Sequence, residues 1–253
     1  HKSSHSFPTR RSSDLLTDTR VAQPALLTVD VAVARHLQGR GCAPTVCAGH
    51  SLGEFAALVV AGAMDFEAAF RLVQERARLM SEAPEGAMAA VVGLAPEAIE
   101  AALPQGAEIA NYNGPQQTII SGTKEAIANA EDALKAAGAK RVLPLQVSGP
   151  FHSSCMSAAA DAFRALVDQV TIAAPACTFV SSVTGEAVAT VEGIRDVLGK
   201  QMRSPVRWTQ VMHTIGPVRA IECGPGKVLQ GIAKRAENAP HVPRIRARLT
   251  KLN

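Results

Sequence analysis

The sequence predicts an α/β protein in which a mostly parallel sheet carries an inserted subdomain. In the outer parts of the chain, residues 16–85 and 149–253, short apolar runs alternate with longer amphipathic stretches. This alternation is typical of parallel strands joined by helices. Between them, residues 86–148 contain six short elements in the order β-α-β-β-α-β, which is a self-contained split motif. A length of 253 residues suits one large domain with such an insertion.

The first outer part predicts a helix, a strand and two further helices. Apolar residues recur with helical spacing over 21–37 and end at a Gly-rich stretch. The short apolar run at 45–48 predicts a buried strand. An Ala-rich helix is expected over 54–64, and Asp65 is the expected N-cap of a helix that ends near residue 81.

The remaining elements follow in order along the chain. Within the insertion we expect a strand at 88–94, a helix at 96–103, strands at 108–112 and 118–121, a helix at 124–137 and a strand at 141–147. After it we expect a helix at 153–170, a strand at 179–183, helices at 194–201 and 209–215, a strand at 219–222 and a helix at 227–237. No repeat of solenoid period is visible.

Composition and charge disfavour several functional classes. The net charge of +4 is compatible with an acidic partner without requiring one. Aromatic residues make up 4% of the chain, too few for the stacking surfaces of single-stranded nucleic-acid binders. The longest apolar run, 55–64, is about half the length of a membrane-spanning helix. Five cysteines without a C-x-x-C pair disfavour a disulfide framework and a zinc site. We therefore expect a cytoplasmic protein with no metal, no nucleic-acid partner and no membrane partner.

Residues 1–15 differ from the rest of the chain. They are rich in Ser and Arg and lack periodicity, and HSFPTRRSSDL over 5–15 resembles one reading frame of a sequencing-library adapter. We interpret them as a non-native tail without chemistry. A disordered natural tail is the alternative.

A Gly-x-Ser-x-Gly pentapeptide, GHSLG over 49–53, stands between an expected strand and an expected helix. Two small residues allow a strained turn that projects the serine hydroxyl into a cleft. Ser51 is therefore the candidate nucleophile. The backbone N–H of Leu52 is the candidate oxyanion donor, because a helix N-terminus favours negative charge. A tight turn with an incidental serine is the alternative.

Arg76 occupies a position where the helical pattern calls for an apolar residue, between Val73 and Met80. A lone charge is costly to bury, so this guanidinium should face an anion. It could clamp the carboxylate of a substrate. It could equally pair with a glutamate or extend its charged end to water.

His152 lies in the loop SGPFHS over 148–153, where a helix is expected to begin. A positive helix end disfavours protonation of a nearby imidazole, and a neutral His152 could take the proton of Ser51. A purely structural histidine is the alternative, and His50, His213 and His241 compete with it. The stretch GPGK over 224–227 lacks the length and the Ser/Thr of a phosphate loop, and predicts a turn.

Together these residues resemble the malonyl-CoA:acyl carrier protein transacylase family. The matching stretches are AQPALLTVDVA from 22, AGHSLGEFAALVVAGA from 48, RLVQERARLMSEAPEGAMAAVVGL from 71, ANYNGPQQTIISG from 110, LQVSGPFHSSCM from 145, SPVRWTQ from 204 and ECGPGKVLQGIAKR from 222. The resemblance implies a hydrolase-like parallel sheet core over 16–85 and 149–253. It also implies a ferredoxin-like subdomain over 86–148.

The resemblance also implies roles for individual residues. Ser51 would be the nucleophile, His152 the catalytic base and Arg76 the group that binds the substrate carboxylate. The backbone carbonyl of Gln201 would orient the histidine. Four further residues would line the substrate site: Gln23, Asn111, Asn113 and Phe151.

The implied reaction is a two-step acyl transfer. Ser51 would attack a malonyl thioester of coenzyme A, and the malonyl-serine ester would pass its acyl group to the phosphopantetheine thiol of acyl carrier protein. These two are the expected partners. No metal or cofactor is implied, because one thioester is exchanged for another.

The sequence departs from the family at its start. The family begins with a strand and a Gly-Gln-Gly loop that gives a second oxyanion donor, and adapter-like residues stand there instead. Loss of one such donor costs about a hundred- to a thousand-fold in turnover. We therefore expect the natural protein to be a transacylase and this truncated chain to be poorly active or unstable.

Three other functions remain open. A serine esterase could use Ser51 with Asp196 and His241 in the hydrolase order. An acyltransferase domain of a polyketide synthase would have the same chemistry in another pathway. A module that only docks a carrier protein would bind without transferring.

Overall fold

The computed structural model describes residues 16–147 and 149–243 of the α/β chain. The tail assigned to residues 1–15 lies outside them. In chain order the described elements are α1 (Thr19–Gly39), β1 (Val46–Ala48), α2 (Gly53–Val60), α3 (Phe66–Ser81), β2 (Ala87–Val92), α4 (Pro96–Ala102), β3 (Ala107–Gly114), β4 (Gln117–Gly122), α5 (Lys124–Ala136), β5 (Arg141–Pro144), α6 (Ser157–Val167), β6 (Thr178–Val180), α7 (Val191–Lys200), α8 (Trp208–Ile215) and α9 (Val228–Ala233). Two single 3₁₀ turns, Ser154–Met156 and Gln201–Arg203, precede α6 and follow α7.

The parallel part of the structure is a short pair of strands surrounded by helices. Strand β1 pairs in parallel with β6, and Cys47 lies opposite Phe179. Fully buried apolar side chains from the surrounding helices form one core, and the rings of Phe55 on α2 and Phe163 on α6 meet edge to face at 6.1 Å. Helix α1 packs on α3 and α2. This core fixes the end of β1, where the Gly-x-Ser-x-Gly turn begins.

Residues 87–144 form a four-stranded antiparallel sheet with the strand order β3-β4-β2-β5. Helices α4 and α5 cover one face, where Val91, Ile99 and Leu134 share a core. The other face contributes Met88 and Ala90 to a smaller cluster against which Phe151 packs. Both faces are covered, so the middle of β2 is buried over consecutive residues. The loop that contains Phe151 thus joins the antiparallel sheet to the rest of the molecule.

Several expected boundaries differ from the structure. The strand expected at 219–222 joins neither sheet, because the backbone bonds of Ala220 and Val218 are made with His241. The helix expected at 227–237 is shorter, Val228–Ala233. Strand β5 ends at Pro144 rather than at residue 147, although the N–H of Leu145 still donates to the carbonyl of Met88. Among the described residues, no helix is long and apolar enough to cross a membrane.

Candidate active site

The Gly-x-Ser-x-Gly turn links the end of β1 to the start of α2 and holds Ser51 in a strained conformation. Ser51 has a φ of 52°, in the left-handed region that side chains rarely adopt. A Cβ at Gly49 would lie 1.9 Å from the backbone carbon of Gly53, so position 49 admits only glycine. The N–H of Gly53 donates to the carbonyl of His50 and closes the turn. The turn therefore presents the Ser51 hydroxyl at the N-terminal end of α2.

His152 forms a hydrogen-bonded pair with Ser51. The Nε2 atom lies 2.8 Å from Ser51 Oγ, and the Nδ1 atom lies 3.0 Å from the carbonyl oxygen of Gln201 and 3.1 Å from that of Ser204. A carbonyl can only accept, so Nδ1 carries the proton. Nε2 is therefore the acceptor for the Ser51 hydroxyl. His152 also has a left-handed backbone, with a φ of 59°.

The environment of His152 keeps its imidazole neutral. Burial, followed by the positive charge of Arg76 and by His50, lowers the pKa of His152 to about 3. The imidazole is thus uncharged at neutral pH. It can accept the proton of Ser51 without first losing one of its own.

Arg76 points from α3 into the same site and is 1% exposed. Its guanidinium donates to Ser51 Oγ at 2.9 Å, to Gln201 Oε1 at 2.9 Å and to Gln23 Oε1 at 2.5 Å. Burial lowers the pKa of Arg76 to about 10, so it stays charged at neutral pH. All three acceptors are neutral oxygens, and within residues 16–147 and 149–243 no carboxylate lies within ion-pair distance of it. In this part of the chain, Arg76 therefore neither pairs with a glutamate nor extends its charged end to water.

The side chains of Gln201 and Glu54 complete the network. The Gln201 amide nitrogen donates to the carbonyl of Ser51 at 3.0 Å and to the carboxylate of Glu54. Glu54 is fully buried and also accepts from Ser181 Oγ at 2.8 Å and from the N–H of Ser182 at 2.6 Å. Burial raises the pKa of Glu54.

Sequence reasoning assigned Gln201 only its backbone carbonyl and missed Glu54. A signal for Glu54 was present, since it is the one charged residue in the apolar stretch 53–64. The same argument singled out Arg76 as a charge at an apolar position.

The other expected site residues lie around this cluster. Gln23 on α1 binds Arg76, and Asn113 on β3 lies 2.9 Å from His50 Nε2 through its side-chain oxygen. Leu52 directly precedes α2. Asn111 pairs with Val206 through its backbone, and Phe151 packs against the antiparallel sheet. Among the described residues, no hydrogen bond joins either of these two side chains to Ser51, His152 or Arg76.

The residues of the alternative hydrolase triad do not meet at Ser51. Asp196 forms a surface ion pair with Lys200 at 2.7 Å. The backbone of His241 bonds to residues 218 and 220. The imidazole that contacts Ser51 Oγ is that of His152.

Comparison with known proteins gives a consistent result. The family model for the acyl transferase domain matches residues 9–246. The malonyl CoA-acyl carrier protein transacylase of Escherichia coli K12 is 45% identical over 232 residues, which cover 87% of this chain and 75% of the relative. The solved structure of MCAT from Streptococcus pneumoniae superimposes with a TM-score of 0.86 at 39% identity, covering 92% of this chain and 80% of that one.

A second solved structure includes a partner. It is the malonyl-transacylase PlMCAT in complex with AntF, a type II PKS acyl-carrier protein. The TM-score is 0.86 at 40% identity, with 92% of this chain and 79% of that chain covered.

Proposed function

Because the chain belongs to the acyl transferase domain family, and within it to the malonyl CoA-acyl carrier protein transacylases, we propose that it transfers a malonyl group from malonyl-CoA to the phosphopantetheine thiol of acyl carrier protein through a malonyl ester of Ser51. One observation carries the proposal. The buried, charged guanidinium of Arg76 lies 2.9 Å from the Ser51 hydroxyl and has only neutral acceptors. A substrate carboxylate would be an anion in direct contact with this guanidinium.

In the first step, Ser51 Oγ attacks the thioester carbonyl carbon of malonyl-CoA while His152 Nε2 takes the hydroxyl proton. The Leu52 N–H, at the helix N-terminus, stabilises the oxyanion that forms. Collapse of this intermediate breaks the C–S bond. The proton on His152 then passes to the coenzyme A sulfur, which leaves as a thiol.

In the second step, the thiol of the carrier's phosphopantetheine arm gives its proton to His152 and attacks the ester. The C–O bond to Ser51 breaks and the proton returns to the serine oxygen. No metal or cofactor is required in this proposal, because the two thioesters have similar energy. The carrier protein is the proposed macromolecular partner, as in the PlMCAT complex.

Arg76 selects the acyl group by the position of its second acid. In a malonyl thioester a single methylene separates the carboxylate from the reacting carbonyl. A guanidinium 2.9 Å from the nucleophile suits that short spacing. A charged hydrogen bond contributes about 1.5–3 kcal/mol, which is about one to two decades of discrimination against neutral acyl groups.

The remaining residues have supporting roles in the proposal. The Gln201 carbonyl orients the His152 ring, and Gln23 holds Arg76. Asn113 holds His50 beside the nucleophile. Asn111 and Phe151 are proposed to line the acyl pocket.

We also propose a fold type for each part of the chain. Residues 16–85 and 149–253 form a hydrolase-like core, and residues 86–148 form a ferredoxin-like insertion. The parallel β1–β6 pair with Ser51 just after β1 supports the first assignment. The order β2-α4-β3-β4-α5-β5 and the sheet order β3-β4-β2-β5 support the second. A cytoplasmic location is also proposed, since all five cysteines occur as free thiols.

The test is incubation with malonyl-CoA, followed by mass spectrometry of the peptide that contains Ser51 and then addition of holo-acyl carrier protein. We expect a malonyl adduct on Ser51 that moves to the carrier thiol. Ser51→Ala should form no adduct. Hydrolysis of the adduct without transfer would contradict the proposal and favour an esterase. Carrier binding without any adduct would favour a docking module.

The pathway is proposed to be fatty acid biosynthesis. The type II PKS carrier bound to PlMCAT keeps polyketide synthesis as a second candidate. Transfer rates to carrier proteins of the two pathways, measured side by side, separate the two.

A further inference from the structure

We propose that Glu54 is a positioning residue that sets the preference for malonyl groups, because it fixes the side-chain amide of Gln201 and through it the direction of the Arg76 guanidinium. The inference rests on the proposed function. Glu54 does not touch the nucleophile or the expected position of the substrate, so it affects the reaction through Gln201, which it binds, and through Arg76, on which its charge acts.

The amide of Gln201 can adopt only one orientation in this network. Its oxygen faces the Nε–H of Arg76, which is a donor, and its nitrogen faces the carbonyl oxygen of Ser51, which is an acceptor. Rotation by 180° would place donor against donor and acceptor against acceptor. The second amide hydrogen then points to the carboxylate of Glu54.

Glu54 has a donor at each of its oxygens. Ser181 Oγ and the Ser182 N–H reach Oε1, while the amide of Gln201 reaches Oε2. The hydroxyl of Ser181 also accepts a hydrogen bond from Val183 N–H, so its own hydrogen is free to be donated. Glu54 thus serves only as an acceptor. It is fully buried, so water cannot replace any of these contacts.

Replacing Glu54 by glutamine keeps the shape of the side chain, reverses the polarity of this contact and removes the negative charge that raises the pKa of Arg76. The new amide has one oxygen, which accepts the hydrogen bonds from Ser181 Oγ and the Ser182 N–H. Its NH₂ group then faces the NH₂ group of Gln201. Rotation of Gln201 relieves this clash but turns its NH₂ towards the Nε–H of Arg76, which displaces the guanidinium. The defect should therefore appear in recognition of the substrate carboxylate.

A purely structural role for Glu54 is the competing explanation, in which the carboxylate only ties α2 to residues 181–182. That role predicts equal losses for all acyl groups. Positioning of Arg76 predicts a loss that depends on the carboxylate of the substrate. The ratio of kcat/KM for malonyl-CoA to that for acetyl-CoA distinguishes them.

The experiment measures this ratio, with transfer to holo-acyl carrier protein, for the full chain and for Glu54→Gln, Arg76→Ala and the double variant. Thr123→Ala is the control for stability. It removes the N-cap of α5 in the antiparallel part and should lower Tm without changing the ratio. We expect Glu54→Gln to lower the ratio about tenfold, the effect of one charged hydrogen bond. In the Arg76→Ala background it should lower the ratio no further.

Every other outcome contradicts either the positioning role of Glu54 or the proposed function. Equal losses for both substrates, or an unchanged ratio in Glu54→Gln, would assign Glu54 a structural role. If Glu54→Gln does not fold, Glu54→Asp, which retracts the acceptor by one methylene, should give a smaller fall in the ratio. Failure of both variants to fold would also assign a structural role. If the unchanged chain transfers no malonyl group, the proposed function fails, whatever Glu54 does.

Discussion

The parallel part and the antiparallel part of the molecule bury different kinds of side chain. Around the short β1–β6 pair, the buried groups include Glu54, Arg76 and His152. Three described residues other than glycine have left-handed backbones, Ser51, His152 and Asn238, and all of them lie outside the antiparallel part. In the described antiparallel part, Val91, Ile120 and Leu134 form an apolar core under α4 and α5, and the buried polar side chains, such as Thr118 and Ser121, are uncharged. Its strands are also longer and pair with regular registers apart from irregularities between β3 and β4.

This difference shows where strain and buried charge are tolerated. A left-handed residue costs on the order of 1–3 kcal/mol, and a buried charge without a counter-ion costs several kcal/mol more. Both occur where Ser51, His152 and Arg76 meet. The described antiparallel part buries no charge, although the hydroxyls of Thr118 and Ser121 are buried without a hydrogen-bond partner. We therefore expect substitutions in the two parts to separate activity from stability, with the largest effect on transfer at Ser51 and the smallest in the antiparallel part.

The largest effect on transfer is expected at Ser51. Ser51→Ala and Ser51→Gly should both lose acyl transfer by about 10⁴-fold or more, because both lack the nucleophile. They should differ in stability, since glycine accepts a φ of 52° without strain. We expect the glycine variant to be more stable than the alanine variant by about 1 kcal/mol in chemical denaturation. Equal stabilities would mean that the turn stores no strain.

A smaller effect is expected at Arg76. Arg76→Ala should lower the malonyl-to-acetyl ratio of kcat/KM by about ten- to a hundred-fold, since it removes the charged partner of the substrate carboxylate. Stability should fall, because three oxygens in the site lose their donor and Glu54 loses the nearby positive charge. Competition assays with both thioesters and thermal denaturation measure the two quantities. An unchanged ratio would contradict the role of Arg76 in selecting the acyl group.

The pH dependence should reflect the neutral state of His152. Because its pKa is lowered to about 3, kcat/KM for malonyl-CoA, which reports the free enzyme, should change less than about threefold from pH 8 to pH 5. A histidine with an ordinary pKa near 6.5 would cause a loss of about thirty-fold by pH 5. An acidic limb near pH 6.5 in single-turnover acylation would count against this assignment.

The lowered pKa of His152 should also make the stability of the folded chain depend on pH. Below about pH 6.5 the unfolded chain binds a proton at this histidine, whereas the folded chain does not until about pH 3. The free energy of unfolding should therefore fall as the pH decreases through this window. Replacing His152 by Gln should remove that part of the pH dependence.

The smallest effect on transfer is expected in the antiparallel part. Leu134→Ala creates a cavity in its core and should lower the free energy of unfolding by about 3 kcal/mol. At a temperature where the variant remains folded, kcat/KM and the malonyl-to-acetyl ratio should be unchanged. A change in the ratio would show that this core also controls the position of Arg76.

Much of the secondary structure could be predicted from local patterns. The helical spacing over 65–81 and the Asp65 cap correspond to α3, and the six-element order of 86–148 corresponds to the observed sheet and its two helices. The strand predicted at 219–222 was wrong, because four residues with two apolar side chains in the middle do not specify a partner strand, and the backbone bonds of this segment go to residue 241. The unusual position of Arg76 was visible in the sequence, whereas its acceptors were not.

By itself, the sequence determined the Gly-x-Ser-x-Gly turn, the helices and the charged residue Arg76 at an apolar position of α3. Glycine sterics and helical periodicity act within a few residues, so these features can be recognised locally. Only the tertiary structure decided that Ser51 Oγ lies 2.8 Å from His152 and 2.9 Å from Arg76, and that Gln201 and Glu54 connect them. Those contacts join residues from 25 to 150 positions apart, and their geometry depends on the packing of the whole core.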